Sequence, residues 1–161
     1  MAKKIERIDV IIIAQPWVQC VMYHGKNVEN DSRDKKKRGT VAVYSSKSKV
    51  NGRFQYCEEG MGIKQKYDPD VAGHILGFVD IIDVIEPNSK KIPAKYKKWW
   101  NPGSYGYVLS NIRLLKKPVK VSKKNGIIRW WHLQGSDLKN VLSAMTEKQK
   151  KQFKTFEELI D

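Results

Sequence analysis

The sequence has few of the residues that define metal-binding, disulfide-rich or membrane proteins. Its two cysteines, Cys20 and Cys57, lack the spacing of a metal site or a disulfide framework, so we expect reduced thiols in a cytoplasmic protein. His24, His74 and His132 are equally dispersed, and neither a metal nor a cofactor is predicted. The longest apolar run is about half of a membrane span, and no apolar stretch follows the first lysines. Neither membrane association nor a secretory signal is therefore expected.

Positive charge is what the sequence has in excess. Lysine and arginine number 31 against 17 aspartate and glutamate residues, which gives a formal net charge of +14. Residues 33–38, 90–98 and 116–129 together hold 16 basic residues and one acidic residue, so three separate segments account for the excess. Such a charge distribution attracts polyanions, of which nucleic acids are the commonest. The alternative is that these lysines are solvated and serve only solubility.

The basic segments also adjoin aromatic residues, which can stack on unpaired bases. Trp99 and Trp100 lie beside the second segment. Trp130 and Trp131 end the third, where a strand would turn them to opposite faces, so that at most one belongs to the core. Trp17 is assigned to the core. The residues predicted to contact nucleic acid are Arg33, Lys35, Lys36, Lys37, Arg38, Lys90, Lys91, Lys95, Lys97, Lys98, Trp100, Lys123 and Lys124.

Apolar and β-branched runs predict most of the secondary structure. Strands are predicted over residues 8–14, 40–45, 73–85, 104–115 and 127–133, with a bend at Gly77. A short helix is expected after Pro16, which suits a first helical turn, and Gly25 is placed to end it. Residues 45–62 carry no clear pattern, although the alternation at 53–56 is compatible with one short strand.

The C-terminal part is predicted to be helical. An apolar stripe at helical spacing runs through Leu138, Val141, Leu142 and Met145. Capping-box spacings occur at Thr146 with Gln149 and at Thr155 with Glu158, which indicates two short helices or one helix broken near Thr146. We therefore expect an α+β fold: a small, closed or partly closed β-barrel of five to six strands with peripheral short helices and a C-terminal helical segment. Residues 1–135 would form the domain, and residues 136–161 a helical extension packed on or beside it.

A compact polar motif follows the first predicted helix. It reads HGKNVEN over residues 24–30 and places Lys26 and Glu29 close together. We interpret it as the floor of a ligand site, with Lys26 donating and Glu29 accepting hydrogen bonds. The alternative is an ordinary surface ion pair. The candidate ligand-binding residues are Gln15, His24, Lys26, Asn27, Glu29 and Asn30.

A series of motifs occurs in a characteristic order along the chain. They are QPW at 15–17, HGKNVEN at 24–30, a basic loop ending at Gly39 before a strand, GHILGFVDIIDV at 73–84, GSYGYVLSN at 103–111, and Pro118 with the strand at 127–133. Together they resemble the ASCH family of the PUA-like superfamily, over residues 8–133. The resemblance implies a pseudo-barrel used mostly to bind RNA, with a small cleft beside Lys26 and Glu29 that recognises a base or a modified nucleoside. Ala14 and Asp31 depart from the family, whose members commonly have cations near these positions.

The resemblance also raises the question of catalysis. Some ASCH proteins are amidohydrolases that act on N-acetylated cytidine through a lysine, a threonine three residues later and a distant glutamate; others have been proposed as ribonucleases. Lys26 resembles that lysine, but Glu29 occupies the threonine position, and only Asp83 and Glu86 are nearby candidates for the glutamate. A general base must lose its proton, whereas a neighbouring glutamate stabilises a protonated lysine. Lys26 and Glu29 are thus the candidate catalytic residues, but their pairing favours recognition over catalysis.

Three functions therefore stay open. The first is a nucleic-acid-binding module for RNA or single strands. The second is a hydrolase that acts on a modified nucleoside or on RNA, in which His24 could serve as a base near neutral pH. The third is a protein-interaction module that docks a partner through the C-terminal helices. A monomer is expected.

Overall fold

The computed structural model describes residues 4–124, 126, 127 and 129–154. These residues form six strands and five short helices. In chain order they are β1 (Asp9–Ile13), α1 (Trp17–Tyr23), β2 (Val28–Asp31), β3 (Gly39–Ser45), α2 (Asn51–Met61), β4 (His74–Ile85), α3 (Ala94–Lys97), β5 (Tyr105–Lys120), β6 (Trp130–His132), α4 (Gly135–Ala144) and α5 (Glu147–Gln152). Among the described residues, no helix has the length and apolar character that crossing a bilayer requires.

The six strands form one mixed sheet in the order β2–β5–β4–β3–β1–β6. β1 pairs parallel with β3, and the other neighbouring pairs are antiparallel. The register between β4 and β5 shifts repeatedly, first between Ile75 and Gly77. Such irregularities bend paired strands, so the bend predicted at Gly77 is confirmed.

The bent sheet brings its two edges together at Arg129, which directly precedes β6. Its Nη2 donates to the Asn30 carbonyl on β2, and its Nη1 donates to the Ile12 carbonyl on β1, each at 3.1 Å. Nearby, the rings of Tyr107 on β5 and Trp130 on β6 meet edge to face with centroids 5.5 Å apart. The sheet is thus a partly closed barrel, and Arg129 spans its seam. This architecture is the small α+β barrel that the sequence predicts.

Alternation along β1 supplies apolar side chains to both faces of the sheet. Val10 and Ile12 pack into one cluster, together with Val141 from α4. Ile11 and Ile13 point the other way, into a second cluster that α1 also enters. Because successive side chains of a strand alternate between faces, one short apolar run can support two cores.

The C-terminal helices follow the predicted pattern. The apolar stripe of α4 packs on the first of these clusters, where Val141 and Met145 are buried and Leu138 and Leu142 are partly buried. Thr146 caps α5: its hydroxyl accepts from the Gln149 N–H, and the Gln149 side chain accepts from the Thr146 N–H. The break between two helices at Thr146 is therefore confirmed. The second capping pair, Thr155 with Glu158, lies outside the described residues.

The prediction of a short strand at 53–56 is wrong, because these residues belong to α2. Gly62 ends this helix in the left-handed conformation (φ 71°), and its N–H donates to the Cys57 and Glu58 carbonyls. Cys57 is the one buried residue of α2, so no apolar stripe marks the helix in the sequence. The strand β2 is also not predicted from the sequence, since it overlaps the polar motif at 24–30.

Candidate functional site

A cavity of about 380 Å³ opens between α1, α2, β2 and the segment that follows α3. Its lining combines charged, amide, hydroxyl and aromatic side chains. The lining residues are Ile12, Ala14, Trp17, Lys26, Glu29, Asn30, Ser46, Ser48, Arg53, Tyr56, Met61, Trp99, Asn101 and Arg129. A volume of this size lies in the range typical of small-molecule sites, about 300–1,000 Å³.

A network of three buried or partly buried charges lies on one side of the cavity; we call it the floor network. Lys26 and Glu29 are only 4% and 7% exposed. The Lys26 Nζ donates to the Val28 carbonyl and lies 3.5 Å from the Glu29 Oε2. The Arg129 Nη1 lies 3.5 Å from the other Glu29 oxygen, and its Nε lies 3.4 Å from the Asp31 carboxylate. Lys26 and Arg129 thus present donors, and Glu29 acceptors, beside the same space.

Sequence reasoning missed Arg129 as a member of this network. It lies at the end of the third basic segment, 100 residues after Glu29 in the chain. The two meet because the barrel closes where β2 approaches the residue before β6. Closure of the barrel also brings the Arg129 cation to the Asp31 carboxylate.

Aromatic side chains form the walls of the cavity. Trp17 on α1 and Tyr56 on α2 meet edge to face with ring centroids 5.9 Å apart. The ring of Trp99 lies 5.8 Å from the Lys26 Nζ and 4.9 Å from the Lys98 Nζ, both within cation–π range. Trp17 is half-buried and faces this space, so its assignment to the core is only partly correct.

Of the six residues predicted to bind a ligand, Lys26, Glu29 and Asn30 line the cavity. Asn30 is already engaged through its side chain: its Nδ2 donates to the Trp99 carbonyl at 2.8 Å, and its Oδ1 accepts from the Asn101 N–H at 2.9 Å. Its amide therefore holds the segment that carries Trp99 in place.

Gln15 is not available to a ligand, so its predicted role is corrected. It is fully buried, and its Nε2 donates to the Ser45 hydroxyl and to the Asp68 carbonyl. Its Oε1 accepts from Gln19 and from the Asp68 N–H. With both ends of the amide occupied, Gln15 fastens the loop at Asp68 to the end of β1.

His24 and Asn27 also lie outside the cavity lining. His24 is exposed, with a ring nitrogen 3.4 Å from the Gln65 side chain. Asn27 donates to the Lys95 carbonyl at 3.0 Å and so tethers α3 to the turn before β2. Both residues flank the site in sequence, but His24 is exposed outside the cavity and Asn27 holds α3 in place.

The side chains predicted to contact nucleic acid differ in their exposure and in whether protein groups already pair with them. Lys90, Lys91, Lys95, Lys97 and Lys98 are exposed, as are Arg33, Lys35, Lys36 and Lys124. In contrast, Lys37 pairs with Asp9 and Arg38 with Asp34, and Lys123 donates to the carbonyls of residues 124 and 127. Burial would raise the pKa of the Asp34 carboxyl, but hydrogen bonds from the Lys36 N–H and Arg38 lower it on balance. The segment 90–98 therefore presents the more available charge.

Trp100 is not an exposed platform, and this prediction is corrected. It is 7% exposed, and its indole N–H donates to the Ser104 carbonyl at 2.9 Å. A Cβ on Gly106 would lie 2.6 Å from the Trp100 ring, so the ring occupies the space that this glycine leaves. Trp99, the preceding residue, takes the position beside the cavity instead.

Two thiols join α1 to α2 behind the aromatic wall. The Sγ atoms of Cys20 and Cys57 lie 3.5 Å apart, both are fully buried, and both are free cysteines. Burial and the hydrogen bond with Cys57 raise the pKa of the Cys20 thiol to about 12. The described residues contain no cluster of three or more histidine, cysteine or acidic side chains that could hold a metal ion.

Comparison with known proteins gives a structural likeness only. No family model matches the sequence, and no curated protein does. A crystal structure of a mutant of the ASCH protein from Zymomonas mobilis superposes with a TM-score of 0.51 at 10% sequence identity, covering 86% of this chain and 96% of that one. A second structure of ASCH from Zymomonas mobilis gives a TM-score of 0.49 at 10% identity, covering 84% and 93%. The chain therefore has an α+β fold like that of this ASCH protein, the kind of fold that its sequence motifs predict.

Proposed function

We propose that this protein binds single-stranded nucleic acid, with RNA as the expected ligand, and holds one unpaired base in the cavity. The observation that supports this most directly is the floor network between aromatic walls. Its charged groups offer donors from Lys26 and Arg129 and acceptors from Glu29, which suits the polar edge of a base. Trp17, which is partly exposed, and Tyr56, which is exposed, offer rings on which a base can stack.

The basic surface connects to this cavity through Trp99. Lys98 lies beside the Trp99 ring, and the lysines of residues 90–98 are exposed immediately before it. A strand whose base enters the cavity would leave its phosphates against these lysines, which carry no acidic residue among them. Single strands are favoured over duplexes because a base that enters the cavity must first be unstacked.

The hydrolase alternative gains no support from the geometry. The Lys26 Nζ donates to a backbone carbonyl and lies beside the Glu29 carboxylate, so it is already engaged as a hydrogen-bond donor and is not placed as a base. Docking through α4 is also disfavoured, because the apolar stripe of that helix packs on the sheet.

The test measures binding of a short single-stranded RNA, the matching single-stranded DNA and the RNA duplex by fluorescence anisotropy at several salt concentrations. Lys26→Met should weaken single-strand binding about tenfold or more, since a hydrogen bond to a charged group contributes about 1.5–3 kcal/mol. The matched control is Lys139→Met, which removes the same charge from the exposed side of α4. Equal affinity of wild type and Lys26→Met would contradict a base in the cavity.

The same assay examines the basic surface. Replacing Lys95, Lys97 and Lys98 by Gln should make binding less sensitive to salt, with a slope smaller by about 0.7 for each phosphate that no longer meets a lysine. An unchanged slope would contradict the proposed path of the strand, even if the cavity binds a base.

A further inference from the structure

The mouth of the cavity carries a second polar group, separate from the floor network. Ser46, Ser48 and Arg53 all line the cavity, and they belong to the segment that leads from β3 into α2. The Arg53 Nη1 donates to the Ser48 hydroxyl at 3.2 Å. The Ser46 hydroxyl lies 3.3 Å from the Ser48 hydroxyl, and the Ser48 N–H donates to the Ser46 oxygen at 3.2 Å. A guanidinium and two hydroxyls therefore converge at one place on the lining.

The charge of Arg53 is not balanced by the protein. In the described part of the chain, Arg53 lies within ion-pair distance of no carboxylate. Four other arginines do have such partners: Arg7, Arg38, Arg113 and Arg129. Residues 46–57 contain Lys47, Lys49 and Arg53 but no acidic residue. This positive cluster lies outside the three segments that the sequence singles out.

An arginine that is partly buried, unpaired and next to hydroxyls is suited to an oxyanion. The guanidinium fork matches a phosphate or carboxylate with two parallel hydrogen bonds, and serine hydroxyls add further donors. The floor network does not suit an anion equally well, because the Glu29 carboxylate lies within it. The two polar groups of the cavity lining thus favour different parts of one ligand: a polar neutral part beside the floor network and an anionic part beside Arg53.

We infer that Ser46, Ser48 and Arg53 form a phosphate subsite, so that the cavity takes a nucleotide unit, with the base at the floor and a phosphate ester at the mouth. This inference rests on the proposed function and specifies its ligand. The phosphate could come from a free mononucleotide or from a link within a strand, since both present the same oxygens. Lys47 and Lys49, exposed on either side of Ser48, add to the positive potential around the subsite.

The experiment compares four probes by isothermal titration: a nucleoside, its 5′-monophosphate, its 3′-monophosphate and a six-nucleotide single-stranded RNA. Wild type should bind at least one phosphate-bearing probe about tenfold more tightly than the nucleoside, since hydrogen bonds between charged groups are about twice as strong as neutral ones. Arg53→Gln, which keeps an amide near Ser48 but removes the charge, should abolish that difference for the monophosphates and leave nucleoside affinity within about twofold. For the RNA it should reduce the difference without abolishing it, because the lysines of residues 90–98 still meet the other phosphates. Lys139→Gln is the control that removes one positive charge far from the mouth.

The outcomes separate this inference from the proposed function. If the RNA binds and Lys26→Met weakens it but Arg53→Gln has no more effect than Lys139→Gln, the phosphate subsite is wrong and the base site stands. If none of the four probes binds, both proposals fail. An effect of Arg53→Gln on a monophosphate supports a terminal phosphate as the ligand, and an effect on the RNA alone supports a phosphate within a strand.

Discussion

Two buried charged clusters lie in this barrel, and they differ in where their polar atoms point. In the floor network, Lys26, Glu29 and Arg129 all line an open cavity. In the second cluster, Arg113 on β5 pairs with Asp80 on β4 at 3.0 Å, and neither residue lines the cavity. Both clusters bury an ion pair, but only the first leaves it beside space for a ligand.

The second cluster is closed by hydrogen bonds within the protein. Asp80 accepts from the Thr40 hydroxyl at 2.6 Å, from Asn111 at 3.2 Å and from Arg113. Thr40 in turn accepts from the Lys154 N–H, which fastens the C-terminal segment to β3. Burial alone therefore does not distinguish a structural ion pair from a binding site. What distinguishes them is whether protein groups already occupy the space around the charges.

The largest effect on stability is expected from Asp80→Ala. The change removes an acceptor shared by three donors and leaves the Arg113 guanidinium buried without a carboxylate, which costs about 3–5 kcal/mol for a buried pair. Urea denaturation should show this decrease, whereas RNA affinity should be unchanged under conditions where the variant is folded. Asp83→Ala, on the exposed part of β4, is the control and should change stability by less than about 0.5 kcal/mol. A drop in affinity as large as that of Lys26→Met would erase the distinction between the two clusters.

A smaller effect, on both stability and binding, is expected from Arg129→Met. Arg129 spans the seam and also belongs to the floor network, but its side chain is 28% exposed, so solvent screens its ion pairs. We expect a decrease of about 1–2 kcal/mol in the free energy of unfolding, from its two bonds to backbone carbonyls, and RNA affinity at least tenfold weaker. Denaturation and anisotropy on the same sample measure both. Reduced stability with full retention of affinity would place Arg129 with the structural cluster instead.

The smallest effect near neutral pH concerns the uncharged contact between Cys20 and Cys57, which becomes visible only in alkaline solution. Because the pKa of the folded Cys20 thiol is raised from 9.0 to about 12, only the unfolded chain ionises this group between those values. Its contribution to stability is therefore complete below pH 9 and decreases as the pH rises toward 12. Burial also raises the pKa values of Tyr44 and Tyr107, so the fall should be partial, not absent, in Cys20→Ala. Identical pH profiles for the two proteins would show that Cys20 is not protected from ionisation.

Much of the fold follows from local patterns in the sequence. The apolar run in β1, the long strand β4 and the capping pair at Thr146 are predicted because each pattern spans only a few neighbouring residues. The helix α2 is not predicted, since it buries only the Cys57 side chain and therefore has no apolar stripe in the sequence. Trp99 and Trp100 are both buried and cannot be told apart by residue type, because their neighbours decide that Trp100 packs on Gly106 and Trp99 lines the cavity.

The candidate site is predictable only where its residues are close together in the sequence. Lys26 and Glu29 are three residues apart, so a short motif suffices to bring them together. Arg129 joins them through the order of the strands, which no local pattern contains. Arg53 reaches the same cavity from α2, a helix that the sequence does not predict, and Ser46 and Ser48 lie just before that helix.

The position of Arg129 at the seam links closure of the barrel to occupancy of the cavity. A ligand that contacts this side chain in the closed barrel, and not in the unfolded chain, must raise the melting temperature by mass action. The melting temperature therefore reports ligand binding. A thermal-shift screen of nucleosides, nucleotides and short strands can rank ligands without any assay of activity. Compounds that miss the cavity but bind the outer lysines should shift the melting temperature less at equal affinity for the folded state, because a flexible unfolded polycation also binds them.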